Sequence, residues 1–268
     1  MQQQKPYAVV VLVLGLALGV LRAVDLLFWS DAAGFALVGP YWLRLAVWAA
    51  ALLLPYLAGR AATAQPAALR DRCPLLGGAM LLTAVPLVGA GLAAAGALGV
   101  TAWGLTAWLD ILFPLVAGLW LLYYGVRAFG GYGIHRAALG HALPGLALPL
   151  YFGWQLIYAF EIKPAAMQRL PNSLQVLAAA AALLFAAALL KVFLTPGNPC
   201  GNTLFSAGSG CYLLCTCVGL PQTVVGLVRG QLGLAAACAG FAAAAFGLCG
   251  LLCAFAAMGP DADSAEEK

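Results

Sequence analysis

Residues 21–45 read LRAVDLLFWSDAAGFALVGPYWLRL: one apolar run ends, the chain turns, and a second apolar run begins. Upstream lies YAVVVLVLGLALGV (7–20) and downstream AVWAAALLLPYLAG (46–59), so the turn joins two continuous greasy segments with no polar face. About 20 such residues in helical form cross roughly 30 Å of hydrocarbon. The junction nevertheless holds Arg22, Asp25, Asp31 and Arg44, four of the five charges in the first 59 residues. Charges placed at the edge of such segments need partners or water.

The remaining sequence repeats this pattern. Of 268 residues, 64% are hydrophobic and 8% charged, with a mean hydropathy of +0.97. Soluble domains carry about 25% charged residues, so this chain cannot cover a water-facing surface. A transmembrane barrel would alternate apolar and polar residues over about ten positions. These runs are instead continuous and rich in Leu, Ala and Val. In lipid every backbone N–H and C=O must be paired within the protein, and a helix does that within one segment. The predicted fold is therefore all-α, a polytopic transmembrane helical bundle. The amino-terminal run has a basic lead at Lys5, but no A-x-A-like site separates it from Arg22. It is read as a retained first helix rather than a cleaved signal.

Helices are predicted at about 7–29, 41–59, 74–98, 104–127, 142–160, 173–194, 203–228 and 231–258, the last pair being the least marked by sequence. These about eight spans form one domain over residues 1–258, and the acidic tail 259–268, GPDADSAEEK, is expected to be disordered. Pro55, Pro86, Pro114 and Pro221 fall inside apolar runs, where bends rather than ends are expected. Gly15 and Gly19 make a G-x-x-x-G, read as intramolecular packing more readily than as a dimer signal. An inside amino terminus puts eight Lys and Arg on the cytoplasmic side (Lys5, Arg60, Arg70, Arg72, Arg127, Arg136, Lys191, Lys268) and five opposite (Arg22, Arg44, Lys163, Arg169, Arg229). The expected location is accordingly the cell's inner membrane, with both termini cytoplasmic.

In that orientation Arg22, Asp25, Asp31, Arg44, Asp110, Glu161, Lys163 and Arg169 all lie near the outer ends of the first, second, fourth and fifth spans. An ionised group in hydrocarbon costs at least about 2.5–3.5 kcal/mol, so such groups turn inward, pair, or line a wet cavity. Arg22 and Asp25, at i and i+3, share a helix face. Asp110, in TAWLDILFPL, has no opposite charge within reach on its own helix, which makes Arg22 or Arg44 its expected partner. Two readings follow. Asp25 and Asp110 with Arg22 and Arg44 form a pocket for a small ion or polar solute, or the same charges only fix packing between helices.

Other chemistry is poorly supported. Cys211, Cys215 and Cys217 in the seventh span and Cys238, Cys249 and Cys253 in the eighth lie in apolar sequence. The i, i+4 pairs Cys211/Cys215 and Cys249/Cys253 permit a helix-to-helix cluster, but the reading preferred is small buried hydrophobes. The histidines His135 and His141 belong to another loop and are six residues apart, so no metal site is expected. The loop VRAFGGYGIHRAALGH is not a P-loop, there is no H-E-x-x-H or G-x-S-x-G, and Lys191 lies close enough to a helix end to snorkel. No catalytic residue and no cofactor are implied. A net charge of +4 spread over membrane loops gives no nucleic-acid footprint.

The segment DLLFWSDAAGFALVGPYWLRL, with Asp31, two positions, then Gly34-Phe35 before a second helix, resembles the turn between the first two spans of a loose set of uncharacterised bacterial polytopic membrane proteins. LPLYFGWQLIYAFEI and TLFSAGSGCYLLCTCVGLPQTVVGLV are similar to that set in the fifth and seventh spans. Ala32 stands where the set often has Pro, and Ala33 where it often has Thr. The resemblance implies an eight-span architecture and, because the set has no established activity, no site residues.

Three functions remain open. The first is a non-enzymatic structural or interaction protein of the bilayer, with other membrane proteins as partners, supported by the small-residue faces of the last two helices. The alternative is a transporter or small-solute binding protein using Asp25 and Asp110. An intramembrane enzyme is third.

Overall fold

The computed structural model describes residues 5–31, 34–61, 69, 73–97, 104–130, 142–162, 170–194 and 200–259. Among these the chain is helical, with no strand and one isolated antiparallel bridge between Ser30 and Ala36. The helices are α1 (Lys5–Phe28), α2 (Tyr41–Ala58), α3 (Pro74–Ala97), α4 (Leu105–Phe129), α5 (Ala142–Gly145), α6 (Ala147–Ile162), α7 (Leu170–Leu194), α8 (Gly201–Cys211), α9 (Leu220–Val228) and α10 (Leu234–Ala257). A π-helical segment, Tyr212–Gly219, joins α8 to α9. Eight helices are long and apolar enough to span a membrane, including the last pair, Gly201–Val228 and Leu234–Ala257. The chain is a multi-pass membrane protein. Arg70, Arg72, His135, Arg136, His141, Lys163, Arg169, the side chain of Glu161 and the tail from residue 260 lie outside the described residues.

Pro55, Pro86 and Pro114 sit within unbroken helices, as the reading of bends rather than ends requires. Two departures from regular helix have local causes. Pro221 has no N–H to return to the carbonyl four residues back, and the wide turns of the π segment end at Gly219, two residues before it. The fifth span pauses at Leu146, where the Leu146 N–H reaches back only to Leu143 O at 3.1 Å. Pro149, three residues later, cannot donate to the Gly145 carbonyl.

Lipid tails are as apolar as leucine, so burial inside the bundle is driven by close packing and hydrogen bonds rather than by escape from water. Helix α10, LAAACAGFAAAAFGLCGLLCAFAA, shows the consequence: it packs against α3, α8 and the π segment. Its glycines set the distance of approach. Gly250 meets the backbone of Gly208, Thr216 lies over Gly247, and Thr223 lies over Gly240, three contacts that run antiparallel along the last two spans. Thr216 Oγ1 donates to Ala244 O at 2.7 Å across the same seam. The small-residue faces of the last two helices are thus occupied by one another. Gly15 and Gly19 likewise receive Tyr212 and Cys217 of the π segment, so this G-x-x-x-G packs within the chain.

A second centre is aromatic. Phe246 of α10 stacks on Phe152 of α6 at 5.0 Å and tilts against Phe185 of α7 at 4.9 Å, tying three spans together. Cys200, Cys211, Cys215, Cys249 and Cys253 are buried in this core. Among the described residues all eight cysteines are free, and no three His, Cys, Asp or Glu side chains are placed to hold a metal ion.

Candidate functional site

The hairpin between α1 and α2 is built by its own backbone. Trp29 N–H donates to Asp25 O at 3.1 Å, ending α1, and Leu37 N–H donates to Trp29 O at 2.9 Å, bringing the chain back. At the tip, Asp31 N–H bonds Phe35 O at 3.0 Å, while Phe35 N–H bonds the Asp31 carboxylate at 2.7 Å. Asp31 is therefore a turn former, the local use to which a short acidic side chain is suited. Gly34 (φ +87°) lies in the left-handed region, and a Cβ there would press on the ring of Pro171. A side chain would be excluded by both conformation and space.

This turn delivers Arg44 onto the end of α1. Its NH2 donates to Val38 O at 2.6 Å and to Trp29 O at 3.1 Å; its NH1 donates to Ser30 Oγ at 3.3 Å and lies 2.6 Å from Asp25 Oδ1. The last is a charge contact without aligned hydrogen-bond geometry. A cation in the first turn of a helix is opposed by the macrodipole, so these acceptors are what hold Arg44 in place. On the other side Arg22 NH1 reaches Asp25 Oδ2 at 2.5 Å, the i, i+3 pair expected from sequence. Arg22, Asp25 and Arg44 thus converge as one cluster of two guanidiniums on one carboxylate, with a net charge of +1.

Arg22 is the unusual member. It is 2% exposed, and its Nε and NH2 are buried with no hydrogen-bond partner among the described residues. A guanidinium has five N–H donors, and leaving charged donors unmet in a low-dielectric setting is costly. Beside it opens a recess of about 250 Å³ whose walls, apart from Arg22, Asp25 and Arg44, are apolar: Leu21, Trp29, Val38, Leu43, Val47 and Trp48 are prominent. No family model, curated protein or solved structure matches this chain. The site has to be read from its own chemistry.

Asp110 does not join the cluster. Its Oδ1 accepts a 2.5 Å hydrogen bond from Trp154 Nε1 of α6, and no ion pair to Arg22 or Arg44 forms. The expectation of an arginine partner is corrected for a simple reason: α4 packs beside α3 and α6, whereas Arg22 and Arg44 are held in the α1–α2 hairpin. An indole N–H is donor-only and suits a carboxylate in a half-buried helix contact. Trp154→Phe is expected to destabilise the fold by about 1.5–3 kcal/mol, the usual worth of a hydrogen bond to a charged group. Asp110→Asn, which keeps the acceptor oxygen, is expected to cost clearly less. Denaturant unfolding of the two variants side by side checks this, and equal losses would contradict the bond's importance.

One further residue, counted in sequence only as an outer-side loop charge, belongs to the hairpin. Arg229, in the turn after α9, donates from NH2 to Leu26 O at 3.0 Å. The last carbonyls of a helix have no partner inside it and carry its negative dipole end, so a cation there is doubly favourable. Position just past a span end was the only signal available for it.

Proposed function

We propose that this multi-pass membrane protein is non-enzymatic and binds an anionic group at the α1–α2 hairpin, with Arg22 as the contacting residue. The single observation that carries the reading is the Arg22 guanidinium, nearly fully buried at the edge of a recess, with Nε and NH2 unmet while Asp25 is already shared with Arg44. It keeps the pocket and the arginines expected from sequence and sets the two aspartates aside as ligands. Asp25 serves as internal counter-charge and Asp110 as a helix-contact acceptor, which leaves arginine to meet the ligand. With the amino terminus inside, the site lies towards the outer face of the cell membrane.

A structural role has its own support, because Arg44 already ties Trp29, Ser30 and Val38 together. The two readings separate in one experiment on the full chain in nonionic detergent. Thermal unfolding is followed with sodium phosphate or acetate against chloride at matched ionic strength, for wild type and Arg22→Gln. Oxyanion binding stabilises the folded chain by RT ln(1 + [L]/Kd), about 2.7 kcal/mol at a hundredfold excess over Kd, which is read as a rise in Tm that the variant loses. Sulfate and phosphate also stabilise proteins by exclusion from their surfaces, so only the difference between the two proteins counts. An equal rise in both would leave the cluster as a staple alone.

A further inference from the structure

Resting on that reading, we infer that the anionic group is the head of an alkyl-chain amphiphile that enters sideways from the bilayer, its chain lying along the wall of the recess between α1 and α2. Two observations carry this beyond anion binding. The first is the mismatch between the two parts of the site. A receptor for a small hydrated anion surrounds it with donors, whereas here the charged cluster shares a recess whose other walls are aliphatic and aromatic. Such a site recovers little from a bare phosphate, which would face Leu21, Leu43 and Val47, side chains with no donor to offer. It recovers much more from a ligand apolar beyond its head.

The second is where the rim lies. Leu21, Leu43 and Val47 belong to the membrane-spanning segments and are between 39% and 51% exposed, so they present their surfaces to lipid. The recess therefore opens along the depth at which acyl chains run. Helix α2 also makes few contacts with α1 beyond the hairpin itself and packs on α8 instead, so among the described elements the first two spans are not closely packed on each other. Arg22 lines the recess with its Nε and NH2 enclosed and unpaired among the described residues, and an oxyanion head, as carboxylate or phosphate monoester, gives them a fork of acceptors once the guanidinium turns towards it.

Trp48, 5% exposed and lining the recess, supplies the readout. The full chain in phosphatidylcholine nanodiscs is titrated with 5-doxyl stearate and, separately, with its methyl ester, which has the same chain and nitroxide but no charge. Saturable tryptophan quenching is expected with the acid, at least tenfold weaker with the ester, reduced in Trp48→Phe, and largely absent once Trp29, the other tryptophan of the recess, is also replaced by Phe. Dodecyl phosphate should compete with it, inorganic phosphate and acetate only at concentrations at least a hundredfold higher. Val47→Phe, which fills the recess without touching the ion pairs, should abolish the quenching while leaving any Arg22-dependent phosphate shift in Tm intact.

Equal quenching by acid and ester, or quenching retained in Val47→Phe, overturns the amphiphile. If phosphate and acetate still stabilise the protein through Arg22 in that case, the anion site stands without a chain. If they do not, both proposals fall together.

Discussion

Asp25→Asn is expected to lower the unfolding free energy by about 3–5 kcal/mol, the cost of removing one partner from a buried charge cluster. The carboxylate is shared by two guanidiniums, at 2.5 Å from Arg22 and 2.6 Å from Arg44. Asparagine keeps the shape and the oxygen but not the charge, leaving two like charges facing each other across the hairpin. Arg44 retains Trp29 O and Val38 O as acceptors, so the burden falls on Arg22, whose remaining nitrogens already have no partner. The same logic gives a rescue. Exchanging a whole buried ionic set for apolar groups is often neutral, so Asp25→Asn combined with Arg22→Met should recover most of the loss. Equilibrium unfolding of wild type, both single variants and the double variant provides the measurement. A loss under about 1 kcal/mol for Asp25→Asn would mean that Arg22 already reaches water or lipid headgroups.

The second large effect is expected at the crossing of α8 and α10. Gly208 and Gly250 touch backbone to backbone, and a Cβ on either would collide with the carbonyl oxygen of the other. Overpacking a well-filled site costs about 1–3 kcal/mol when side chains can rearrange. Here the obstacle is main chain on both sides, so Gly250→Ala is expected at or above the top of that range, and Gly250→Leu should prevent the last two spans from docking. Gly78 is the control. It is helical, nothing lies within 4 Å of its Cβ position, and Gly78→Ala should be neutral or stabilise by about 0.4–1 kcal/mol. Thermal unfolding in detergent reads all three, and a Gly250→Ala protein as stable as the Gly78→Ala protein would refute the close crossing.

Much of the architecture was legible before any coordinates, and the reason is the solvent. Lipid imposes a local rule on each segment, a minimum apolar length with internally paired backbone, so the spans can be read one at a time and fall within a few residues of the observed helices. The Arg22–Asp25 pair was legible for the same kind of reason, since i, i+3 spacing on a helix is a local property. Arg44 was flagged by its place in the junction, although its bonds to Trp29 and Val38 depend on the return of the hairpin through Gly34 and Gly39, both at positive φ.

What stayed hidden involves partners far apart in the chain. Trp154 lies 44 residues from Asp110, and Arg229 lies 203 residues from Leu26. Neither pairing has a periodicity to announce it, because each depends on which helices become neighbours. The Gly208–Gly250 crossing was equally silent among 32 glycines. The small-residue faces of the last two spans were legible from composition, whereas their contact with one another through Gly208, Gly240, Gly247 and Gly250 was not.

The sequence by itself determined that this chain resides in a membrane, crosses it as about eight helices, and carries its rare charges near span ends. These outcomes follow from the cost of placing polar groups in hydrocarbon, and that cost acts residue by residue. The tertiary structure alone decided that Asp25 is enclosed by two arginines while Asp110 answers to an indole, and that one guanidinium is left with unmet donors beside an apolar recess. Helix packing sets these, and in a bilayer it turns on the fit of small side chains between helices rather than on hydrophobicity, which every segment shares.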